Sequence, residues 1–220
     1  MVSRETPGSP PALPPWLGGS ADSLAAYVEL LSSDGVTRGL IGPREVTRLW
    51  SRHVLNCAVV VDPSVDLVPA GARVVDVGSG AGLPGVVWAI ARPDLRVLLI
   101  EPLLRRATFL DEAVGSLGLS ERVQVWRGRA EDAPAELRGH QVATARAVAP
   151  LGRLVRWLTP LLDPGGTMIA LKGSTAGSEL EGARGEVSDA GIVDARVLQI
   201  GQSVVDPPTT VVVGQRRAAE

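Results

Sequence analysis

VVDVGSGAGLPG, residues 74–85, decides the fold class of this chain. Residues 74–77 read as a buried strand whose only polar member is Asp76. Gly78, Gly80, Gly82 and Gly85 follow, with Pro84 placed to open a helix. A strand, a glycine-rich turn and a helix start together form a cradle for a nucleotide-like cofactor. Glycine reaches positive φ without strain and leaves no Cβ in a ligand's way.

Downstream the pattern alternates. Residues 73–77, 95–100, 123–127, 141–146, 166–171, 192–200 and 209–215 predict strands; 84–92, 103–118, 151–162 and 178–190 predict helices. Continuously apolar strands alternating with helices imply a parallel sheet covered on both faces. Only a loop containing Pro207 and Pro208 separates the last two strands. A parallel crossover needs about a dozen residues or more, so this pair is expected to be antiparallel, at the sheet edge. The expected domain, residues 71–216, is therefore α/β, a mostly parallel seven-stranded sheet with a C-terminal antiparallel hairpin. That architecture is similar to the Rossmann-like fold of class I S-adenosylmethionine-dependent methyltransferases.

Residues 21–70 predict a small N-terminal helical segment. Leu24, Tyr27, Val28 and Leu31 recur at helical spacing behind Ser20 or Asp22 as a cap. A second helix is expected after Gly42-Pro43 and a third over 51–61. Residues 1–20, with Pro10, Pro11, Pro14 and Pro15, are expected to be a disordered tail.

A length of 220 residues suits one sizeable domain, and 45% hydrophobic against 3% aromatic residues means an aliphatic core. The formal charge of −2 gives no global pull on nucleic acid, so RNA contact needs a local patch. Cys57 stands alone, which excludes an internal disulfide. There is no apolar signal core, and no stretch nears the roughly 18 apolar residues of a membrane helix; a soluble cytoplasmic protein is expected. No His/Cys/Asp cluster has metal-ligand spacing, so no metal is expected. Among 22 basic residues, Lys172 is the single lysine.

Two cofactor chemistries fit the glycine turn. Gly80-Ala81-Gly82-Leu83-Pro84-Gly85 satisfies the dinucleotide fingerprint, but there the first glycine should follow the strand directly, and Gly78 and Ser79 intervene. The frame Asp76-x-Gly78-x-Gly80-x-Gly82 starts where the strand ends and resembles the first motif of S-adenosylmethionine enzymes. An acid at Asp76 can serve that cofactor's ammonium, directly or through water, and does nothing for a pyrophosphate. Glu101, ending the second strand, can accept both ribose hydroxyls, or be an ordinary acid at a helix start. After the third strand, Ala130-Glu131-Asp132 either meets an adenine amino group or lies in a solvated loop.

VVDVGSGAGLPG, RAED at 129–132, ARAVAPL at 145–151 and ALKG at 170–173 resemble the RsmG family, also called GidB, of bacterial 16S ribosomal RNA methyltransferases. RLWSRHVLNCAVV, residues 48–60, resembles that family's helical entry segment. The resemblance covers about residues 21–215 and implies methyl transfer from S-adenosylmethionine to N7 of a guanine in 16S rRNA. It also implies a connection with streptomycin sensitivity, since loss of some members gives low-level resistance. Cofactor contacts then fall on Gly78, Leu83, Ala130, Glu131 and Arg146, with Glu101 at the ribose position. Ala145 replaces a frequent serine, and Asn56-Cys57 replaces a frequent Asp-Ser pair.

Guanine N7 carries a lone pair and no proton, so no general base is required, only alignment and accommodation of moving charge. Arg146, after the fourth strand, is the candidate to hold the cofactor carboxylate or guanine O6, or else forms a structural ion pair. Lys172 is a second positioning and RNA-contact candidate, or a solvated strand end. Arg52 and His53, Arg105 and Arg106, Arg127 and Arg129, and Arg153 and Arg156 are the candidate RNA face, or else solvated surface. The expected partner is 16S rRNA, the small ribosomal subunit or its assembly intermediate, met by a monomer. Two rivals remain: a methyltransferase for a small molecule or protein, and a non-catalytic ribosome-assembly factor.

Overall fold

The computed structural model describes residues 10–146 and 148–218. The N-terminal part contains a 3-10 turn (Pro15–Ser20), helix α1 (Ala21–Leu30) and a wide turn (Leu31–Gly35). A second irregular stretch runs from Pro43–Arg48 through a π turn, Leu49–Val54, into α2 (Leu55–Ala58) and Val59–Val61. Then come β1 (Arg73–Val77), α3 (Gly85–Ala91), β2 (Arg96–Ile100), α4 (Leu104–Ser116) and β3 (Val123–Trp126). The chain finishes with β4 (His140–Arg146), α5 (Leu151–Leu158), β5 (Leu162–Lys172), α6 (Ala176–Gly182), α7 (Arg184–Asp189), β6 (Ile192–Ile200) and β7 (Thr209–Arg216).

All seven strands join one sheet in the order β3-β2-β1-β4-β5-β7-β6. Neighbours from β3 to β5 are parallel, and β7 pairs antiparallel with both β5 and β6. The expected hairpin is present, with β7 inserted between β5 and β6. Strand alternation divides the core: Val74, Val97 and Leu99 face one hydrophobic cluster, and Val75, Leu98 and Ile100 the other. Helices α3 and α4 cover the first face, and α5 to α7 the second. The direction of winding reverses between β1 and β4, so a crevice opens at their carboxyl ends, where open α/β sheets place ligands.

The N-terminal helical segment shares the first core cluster with α3 and α4. Long-range bonds tie it down, among them the following. Trp88 Nε1 donates to the Cys57 carbonyl at 2.8 Å, Tyr27 Oη to the Ala81 carbonyl at 2.6 Å, and Thr209 Oγ1 to Asn56 Oδ1 at 2.9 Å.

Several expectations need correction. The tail of residues 1–20 is ordered over its last part, because Leu17 is buried in the core; residues 1–9 lie outside the described residues. Ser20 does not cap α1, since its hydroxyl donates instead to the Ile90 carbonyl at 2.9 Å. The second and third helices form one stretch that changes pitch, so their side chains are not spaced as on an ideal helix. Finally, β5 starts earlier than expected, because Leu162 pairs with His140 across a bulge.

Candidate active site

The crevice is a cleft of about 630 Å³, within the usual range for small-ligand sites. The glycine turn forms its floor. Gly78, Gly80 and Gly82 all have positive φ (69°, 59° and 98°), which explains why glycine stands there. A Cβ on Gly85 would lie 2.4 Å from Leu99 Cδ2 and 2.8 Å from Asp76 Oδ2, so α3 can approach β1 and β2 only through glycine.

Gly78, Gly80, Leu83, Glu101, Ala130, Glu131 and Arg146 all line the cleft, and Arg129, Arg106 and His53 stand in its wall. Segments far apart in sequence thus meet in one cleft. Glu101, 1% exposed, is a preset acceptor. Its Oε2 accepts from Gly80 N and its Oε1 from Leu103 N, both at 2.9 Å. Each carboxylate oxygen keeps a lone pair for a hydroxyl donor. These acceptors therefore fit the hydroxyls of a ribose.

Asp76 and Gly82 are placed differently from expectation. Neither lines the cleft. Gly82 packs behind the turn, where an added Cβ would meet Val86 and the Tyr27 hydroxyl. Asp76 is fully buried, its Oδ2 accepts from Gly85 N at 3.0 Å, and its Oδ1 has no partner among the described residues. It anchors the start of α3 from beneath the turn and reaches a ligand only as a charge through the loop. Burial pushes its carboxyl up to about 7, against the pull of the Gly85 N–H, Ser79 and Arg146.

A pH prediction follows from the sign. The folded protein holds this proton more tightly than the unfolded chain, so the stabilisation is present below about pH 4 and is lost as pH rises through about 7. Asp76→Asn, which keeps an acceptor for Gly85 N, is expected to remove a stability slope of at most about 1.4 kcal/mol per pH unit in that window. Urea denaturation across the window checks it; an unchanged slope refutes it.

His53 departs furthest from its expected role. It does not face outward as part of an RNA surface. The π turn carries it inward to Arg146, 93 residues further along, whose Nη2 donates to His53 Nδ1 at 2.9 Å. On the ring's other side, Nε2 lies 3.0 Å from Glu45 Oε2. Burial and the Arg146 charge hold the imidazole below its usual value, with Glu45 opposing. Among the described residues Arg146 has no carboxylate partner, so its charge serves the cleft and not an ion pair.

Lys172 also needs correction. Its Nζ donates to Glu179 Oε1 and to the Ala149 carbonyl, both at 2.8 Å, and only 9% of the side chain is exposed. It ties β5 to α6 and to the segment after β4, and it is not presented to RNA. Lys172→Ala is expected to cost about 2 kcal/mol of stability, the worth of charged hydrogen bonds. Thermal denaturation tests this, and an unchanged midpoint with loss of RNA binding would restore the RNA role.

Arg52, Arg105, Arg127, Arg153 and Arg156 are exposed and lie outside the cleft lining. Burial pushes the Cys57 thiol up to about 11, which leaves it unreactive. Tyr27 and Glu45 escape sequence reading. Tyr27 looks like one more apolar helix position, and no spacing rule links Glu45 to β4.

A family model described as GidB, rRNA small subunit methyltransferase G, matches residues 20–205. A ribosomal RNA small subunit methyltransferase G from Thermobifida fusca is 58% identical over 84% of this chain and 76% of its own length. One from Mycolicibacterium gilvum is 48% identical over 100% of this chain and 95% of its own. Among solved structures, a SAM-dependent methyltransferase from Aquifex aeolicus superposes with a TM-score of 0.57 at 18% identity, covering 80% of this chain and 99% of that one.

Proposed function

Since the chain belongs to the rRNA small subunit methyltransferase G family, we propose that it transfers the methyl group of S-adenosylmethionine to N7 of a guanine in 16S rRNA. The observation that carries this is the composition of one cleft. It joins a glycine floor and the acceptor Glu101 to a cationic wall of Arg146, Arg106 and Arg129. Glu101 suits the ribose of an adenosine-bearing cofactor, and the arginines suit an electron-rich, anionic substrate. No helix among the described residues is long and apolar enough to cross a membrane. The setting proposed is the cytoplasm, with a monomer acting on the small subunit or its assembly intermediate.

When bound, the cofactor would supply a sulfonium methyl group for in-line transfer to N7. The chain's own residues align and enclose. Glu101 would accept from ribose hydroxyls, Ala130 and Glu131 would border the adenine, and Gly78 and Leu83 would border the methionine end. Arg146 donates to acceptors in the cleft, foremost guanine O6, and leaves N7 free. Because N7 has no proton to lose, the reaction needs no general base.

Calorimetry with S-adenosylmethionine, followed by radiolabel transfer to undermethylated small subunits, tests the proposal. Binding plus label at a guanine N7 is expected. Binding without label in rRNA would favour an assembly factor or a different methyl acceptor.

A further inference from the structure

We propose that Glu45 and His53 are positioning residues for Arg146, and that they hold its guanidinium in place only while the His53 ring is neutral. This rests on the methyl-transfer reading above.

The hydrogen bonds themselves fix the protonation state. A guanidinium has donors and no acceptor, so the 2.9 Å contact between Arg146 Nη2 and His53 Nδ1 requires a lone pair on Nδ1. The ring proton then sits on Nε2 and is donated to Glu45 Oε2, 3.0 Å away. Glu45 thereby selects the tautomer that can receive Arg146. All three residues line the cleft.

A π turn widens the helix at Leu49–Val54, and such turns recur where a side chain is re-aimed for function. Here it delivers His53 from the N-terminal segment to the end of β4. The remaining charges felt by His53 come from Arg52 on the same turn, while Tyr27, Cys57 and Asp76 lie within the field of Arg146.

Protonating His53 places a proton on Nδ1. The acceptor is lost and two cations face each other, so Arg146 must turn away. Activity should therefore fall on acidification through the His53 transition, below the usual imidazole range.

The experiment is single-turnover methyl transfer by wild type, His53→Ala, His53→Asn, Arg146→Ala and the His53/Arg146 double alanine variant, between about pH 5 and 8. The asparagine oxygen can replace Nδ1 as acceptor and does not titrate. His53→Ala is expected to lose about tenfold in kcat/KM at neutral pH, the worth of one hydrogen bond to a charged group. His53→Asn should recover most of that loss and flatten the acid limb. The double variant should be no slower than Arg146→Ala.

A His53→Ala variant within about twofold of wild type overturns the proposal, since one charged hydrogen bond is worth more. An unchanged acid limb in His53→Asn, or additive losses, would do the same.

A readout without turnover separates this from the parent reading. Ring nitrogen NMR, assigned by the missing signals of His53→Asn, should show the Nε2–H tautomer, and the His53 pKa should rise in Arg146→Ala. An Nδ1–H tautomer or an unmoved pKa refutes the relay whether or not label is transferred. If wild type transfers no label, only the methyl-transfer reading falls.

Discussion

Arg146→Ala is expected to lower kcat/KM for methyl transfer about a hundredfold or more while the protein stays folded, the range seen when one preorganised donor is removed. The guanidinium is half-buried at the end of β4, in the cleft wall. Its charge is felt by Tyr27, His53, Cys57 and Asp76, which surround it from α1, the π turn, α2 and β1. Removing it leaves His53 Nδ1 without a donor and lets the Asp76 carboxyl rise further. In a cleft partly closed to water each of these effects exceeds its value in solvent. Substitution should not unfold the chain, because no ion pair depends on this side chain among the described residues. Calorimetry separates its two candidate tasks: unchanged cofactor affinity assigns it to the guanine, and weakened affinity to the cofactor carboxylate. A loss below about fivefold would be too small for a positioned donor and would remove Arg146 from the machinery.

Trp88→Ala is expected to destabilise the protein by about 3–5 kcal/mol, a large part of the stability of a domain of this size. Trp88 is fully buried in α3, at the junction of the N-terminal segment and the sheet. The substitution also removes the indole bond to the Cys57 carbonyl, which adds about 1 kcal/mol. Because both parts share one core cluster, urea unfolding followed by circular dichroism should move as a single transition. Two separated transitions, or a loss under about 1 kcal/mol, would show that the segment packs independently, since cavity formation alone exceeds that figure.

Strands and the glycine turn are legible because each depends on local rules. Continuous valine and leucine runs mark β1 and β2, and glycines at Gly78, Gly80 and Gly82 mark a turn that needs positive φ. Residues whose roles depend on long-range partners were not legible. Asp76 looks like a ligand contact until its bond to Gly85 N and its depth beneath the turn are seen. Lys172 invites an RNA role by its rarity, yet Glu179 claims it. His53 and Arg146 were each marked, but no pattern in the chain couples them. Irregular pitch over residues 43–61 had erased the periodicity that would have aimed His53 correctly.

The position of β7 between β5 and β6 has a consequence for biosynthesis. β6 emerges from the ribosome first, yet it has no place in the sheet until the strand after it arrives. Until then β5 presents an open edge, and the half of the sheet bearing β4 and Arg146 lacks its outer support. A nascent chain stalled before residue 209 would therefore already hold the glycine turn and β6 but lack β7, the strand that joins β6 to the sheet. Arrival of β7, and not synthesis of the glycine turn, closes this sheet.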